Sequence, residues 1–148
     1  MIQITITQIK QYYPVTDSLQ QTKINDYTNF VKHNIFVAMF GLAISNEIFN
    51  GTIVNSKNVD FVGFTNLVAI CVANELIKNL TVHTNAGLKI VNQPNWQALN
   101  VAQKQTKVND LSGLIENQFL EAKKVLVTLG KITTNKFQNY GSFKIEKL

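Results

Sequence analysis

Residues 64–80 read FTNLVAICVANELIKNL, and where this stretch sits decides the fold. Phe64, Leu67, Val68, Cys71, Val72, Leu76 and Leu80 recur at the three- and four-residue spacing of a helix. Asn66, Asn74 and Glu75 are the main interruptions in a stretch that is otherwise apolar almost all round. A helix without a polar face must be covered on every side, which places it at the centre of a helical bundle. Asp60 is a fair N-cap for it, and Leu80 marks its expected end.

Upstream, a helix is expected from about Leu19 to Phe40. Ile24, Tyr27, Val31, Ile35, Ala38 and Leu42 form one helical stripe, which Phe30, Phe36 and Met39 widen. Gly41 bends or breaks this helix. A short helix then runs from Leu42 to Phe49 and closes at the turn signal Asn50-Gly51. Thr52 to Asn58 reads as a polar loop or a short strand. At the start of the chain, residues 1–7 alternate apolar and polar, as a strand does. Thr5 or Thr7 can also cap a helical turn through Tyr12 that Pro14 stops. An extended start followed by one or two helical turns reconciles the two.

Downstream, Thr84-Asn85-Ala86-Gly87 reads as a turn and Gly87 to Val91 as strand-like, with Gln93-Pro94-Asn95 a further break. A β-hairpin arm or a long ordered loop is therefore expected between two helices. The last helix runs from Trp96 or Ala98 to Leu129. Val101, Val108, Leu111, Ile115, Phe119, Ala122, Leu126 and Leu129 give it near-heptad spacing, and Gly130 suits the position just past its end. Lys131 to Leu148 loses helical periodicity. The expected fold class is thus mainly α: a helical bundle of three to four main helices, with a small β-hairpin excursion and an extended C-terminal tail. Residues 1–130 form the helical domain and residues 131–148 the tail.

Bulk properties narrow the function. The 148 residues suit one domain, and 45% hydrophobic content supports a core without metal or disulfide. Cys71 is the only cysteine and lies in an apolar run, so it reads as a buried hydrophobe. The net charge is +5, yet every basic residue is lysine. Without arginine there is no bidentate fork for guanine edges or phosphate, which argues against specific nucleic-acid readout. No apolar run approaches the roughly 20 residues that span a bilayer, and nothing resembles a signal peptide. A soluble protein made inside the cell is expected, with no membrane partner.

Catalytic patterns are missing from the sequence. His33 and His83 have no carboxylate or cysteine at metal-ligand spacing. No phosphate loop and no nucleophile elbow occurs. Glu75 has apolar neighbours, which fits a buried, hydrogen-bonded carboxylate better than a general base. No enzyme, metal site or cofactor is expected. Adjacent Tyr12 and Tyr13, and Trp96 in a polar setting, are the aromatics that suit an interface.

Four stretches together resemble the head–tail connector (adaptor or head-completion) proteins of tailed bacteriophages. They are Ile4-Thr5-Ile6-Thr7-Gln8-Ile9-Lys10 through Tyr13-Pro14-Val15; the helix ending Phe40-Gly41 with the short helix to Gly51; Thr84-Asn85-Ala86-Gly87-Leu88; and the final helix with Phe119, Ala122 and Leu126-Val127-Thr128-Leu129. The resemblance covers most of residues 1–130. It implies a structural virion protein at the neck, a homo-oligomeric ring, often twelvefold, docked on the portal protein and contacting tail proteins. Such a ring surrounds a lumen for DNA, which the lysines would approach without sequence preference. The resemblance also implies that the tail, with Phe137, Tyr140, Phe143, Ile145 and Leu148, reaches a neighbouring chain. The hairpin segment with Gly87, Leu88 and Ile90 would touch an adjacent subunit or the tail. Two other readings remain beside it. One is a different phage assembly part, such as a tail-completion or small DNA-packaging subunit. The other is a small helical ligand-binding protein with a pocket near Glu75 and His83.

Overall fold

The computed structural model describes residues 1–13, 15, 19–91 and 101–133. Within them the elements are α1 (Ile6–Lys10), α2 (Gln21–Val31), a π turn (Lys32–Phe36), α3 (Val37–Phe40), α4 (Leu42–Asn50), α5 (Phe64–Val91) and α6 (Val101–Thr128). The protein is mainly helical, a bundle built around α5. From Leu67 to Ile77 every residue of α5 is buried, three turns covered on all sides. Helices α1 and α2 pack on α5, and α6 returns alongside it. Asn74 and Glu75 are carried inside with their apolar neighbours.

Three helix ends have a clear local cause. Thr5 caps α1 in a capping box: its hydroxyl accepts the Gln8 N–H, and the Gln8 side chain accepts the Thr5 N–H at 2.9 Å. Gly51 closes α4 at φ 87°. Gly130 closes α6 at φ 70°; the Lys131 N–H reaches the Leu126 carbonyl and the Gly130 N–H the Val127 carbonyl, both at 2.9 Å. Ile132 then folds into the core.

Three expectations need correction. No strand occurs among the described residues, and there is no β-hairpin at 84–91: α5 runs on through Thr84, Gly87, Leu88 and Ile90 to Val91. A helix already nucleated in the core extends at little cost, and one interior glycine costs only about 1 kcal/mol. Asp60 is not the cap of α5, which starts four residues later. The chain turns at Gly63 (φ 95°), and Asn55 Oδ1 accepts the Thr65 N–H at 2.9 Å, a cap supplied from ten residues upstream. Finally, Ala38 and Leu42 do not continue the inward stripe of α2. Both are exposed, while Phe36, Met39 and Phe40 are buried. The π turn inserts one extra residue, so the face that follows it is shifted by one position.

Candidate interaction surface

The N-terminal segment lies extended across the bundle. The Ile2 N–H donates to the Phe49 carbonyl at 2.8 Å, and the Gln21 side-chain amide donates to the Ile4 carbonyl at 2.7 Å. Ile4 is buried between these two ties. A groove opens on each flank of the segment. One, of about 410 Å³, lies against α2 and is lined by Gln3, Gln21, Asn25, Thr28 and Asn29. The other, of about 370 Å³, lies towards α4 and the start of α5 and is lined by Met1, Ile48, Ile53, Val54 and Phe64. Among the described residues no lysine and no acid lines either groove. The first offers neutral hydrogen-bonding amides and the second a largely apolar wall, on which Met1 and Val54 stand exposed.

The loop between α4 and α5 is held tightly. Asn58 Oδ1 accepts the N–H groups of Asp60 and Phe61 at 2.8 and 2.6 Å, and the Asn58 N–H donates to the Phe61 carbonyl at 3.0 Å. Gln118, from α6, clamps the same loop. Its Oε1 accepts the Val62 N–H and its Nε2 donates to the Asp60 carbonyl, both at 2.9 Å. A side-chain amide here does for the loop backbone what a neighbouring strand would do. Val59, at the tip, is fully exposed on this pinned backbone. Gln118→Leu keeps the volume but leaves both backbone groups without partners. It should lower the unfolding free energy by about 2 kcal/mol, measured as a fall in the urea midpoint with an unchanged slope.

Glu75 is 5% exposed and pairs with the Lys78 ammonium at 3.2 Å. Its carboxylate lies close enough to push up the Tyr27 hydroxyl and the Cys71 thiol, although burial is the larger cause for both. Cys71 is therefore held as a neutral thiol well above its ordinary range, which is the opposite of an activated nucleophile. An aromatic disulfide reagent at pH 8 should leave the native protein unlabelled and label Cys71 at the rate of unfolding. Rapid labelling of the native state would contradict the burial. Among the described residues no group of histidine, cysteine, aspartate or glutamate could hold a metal ion. None of their helices is long and apolar enough to cross a membrane.

The residues singled out in the sequence fall in different places. Tyr13 is buried in the core and Tyr12 is half-buried, both with hydroxyls pushed up by burial. Gly87, Leu88 and Ile90 lie on the last turns of α5. Trp96, Phe137, Tyr140, Phe143, Ile145 and Leu148 lie outside the described residues. Sequence reasoning missed Gln118 and Asn55, because each acts on backbone groups that no local motif brings to it; it also missed Asn58, whose bonds to the N–H groups two and three residues on are an Asx turn that the sequence could have signalled.

Comparison with known proteins matches no family model, no curated protein and no solved structure.

Proposed function

We propose that this chain is a structural subunit of a tailed-phage virion: one protomer of a head–tail connector ring that docks on the portal and lines part of the DNA channel. The reading rests on the resemblance in element order. The observation that carries it is the punctuation of the bundle: a helix ending at Gly41, a short helix closed at Gly51, and a long last helix closed at Gly130. The exposed apolar side chains at Met1, Val54 and Val59 support it, since sister subunits would cover such groups. Head-to-tail contacts close into a ring when the rotation between neighbours closes. Lysine-only basicity suits a channel wall, because point charges let DNA pass without reading it.

The test is assembly. Purified protein is mixed with portal particles, then followed by light scattering and electron microscopy. A ring layer on the portal is the expected result. A strict monomer that never joins the portal overturns the proposal.

A further inference from the structure

We propose that the helical rod from α2 to α4 is a two-position catch, with the π turn and Gly41 as its moving parts. The observed position is one of two packings written into the same residues. A straight helix turns about 100° per residue. Counted from Val31, the last residue before the π turn, a straight helix would place Leu42 about 20° away and Phe40 about 180° away. Leu42 would then point inward with Ile24, Val31 and Ile35, and Phe40 would point out. The extra residue of the π turn, where the Val37 N–H reaches back to the Lys32 carbonyl, turns Phe40 inward, and the break at Gly41 leaves Leu42 outside. Phe40 is buried against Phe36 and Phe119, at 5.8 and 5.4 Å between ring centroids, while Leu42 is 56% exposed.

Two further observations mark the observed position as a held one. Gly41 sits at φ 84°, ψ 164°, a backbone region essentially reserved for glycine. A Cβ there would meet nothing within 4 Å, so only the backbone angle, not the surroundings, demands glycine. And α4, folded back onto α3 and the π turn, carries the Ser45 hydroxyl into the core with no hydrogen-bond partner. In the second position the π turn relaxes to α, the helix runs on through Gly41 into α4, Leu42 turns in, and Phe40 turns outward together with Phe36, one turn before it. This inference does not depend on the connector reading, since it concerns the isolated chain.

The experiment measures microsecond–millisecond exchange by NMR at the Leu42 methyls and the Phe40 ring of the full chain. The wild type should show a minor state within roughly 0.1–10%. Gly41→Ala removes the glycine-only angle and should raise that population about tenfold. Leu42→Asp puts an acid at the exposed start of α4, which the observed position tolerates, and forbids the second position by burying the charge. It should abolish the exchange while leaving the fold intact. Absence of exchange in the wild type, or exchange that survives Leu42→Asp, overturns the proposal. If Gly41→Ala fails to fold, the wild type and Leu42→Asp decide alone.

Discussion

Phe36→Ala should lower the unfolding free energy by about 3–5 kcal/mol, a large fraction of the total for a domain of this size. Phe36 is fully buried where four elements meet. Its ring makes edge contacts with Phe40 from α3, Phe49 from α4 and Phe119 from α6, at centroid distances of 5.8, 5.1 and 5.2 Å. Truncation removes the hub of that cluster and leaves a cavity that three rigid rings cannot fill. Phe30→Ala, in α2 just before the π turn and 43% exposed, is the control and should change stability by well under 1 kcal/mol. Urea titration of the two variants against wild type gives the comparison. Equal effects would mean that the aromatic cluster is not the hub.

Among the described glycines Gly63→Ala should be the most damaging substitution, at about 2–4 kcal/mol. Two costs coincide. The φ of 95° strains any residue with a Cβ. The added carbon would stand 2.7 Å from Asn55 Oδ1 and 3.1 Å from Lys57 Cγ. Asn55 must then withdraw, and its bond to the Thr65 N–H, the cap of α5, goes with it. Gly41→Ala is the informative contrast, because it shares the positive φ but meets no neighbour. Thermal unfolding should therefore rank Gly63→Ala well below Gly41→Ala.

The central helix was legible because burial on all sides leaves a compositional mark: Leu67 to Ile77 could not face water on any side. The closures at Gly51 and Gly130 were legible because glycine is the residue that takes φ > 0 cheaply. The face of α3 was not. Ala38 and Leu42 continue the stripe of α2 faithfully, and no single-residue signal announces that the π turn will shift it. Residues 84–91 misled for another reason. Turn residues at 84–87 followed by strand-forming residues to Val91 fit a hairpin arm, but they follow a helix already formed, and continuing it costs less than breaking it. The clamp made by Gln118 was illegible in principle, since 56 and 58 residues separate it from its partners.

The position of α5 also governs how the chain can be made. Its partners lie on both sides of it in the sequence: α1 and α2 come before, α6 after. During synthesis from the first residue, the ribosome releases α5 when only half its wall exists. Until α6 emerges, the nascent protein shows Phe36 and Phe40 to solvent without Phe119. A product that ends before residue 101 would therefore leave the α6-facing side of α5 without its cover.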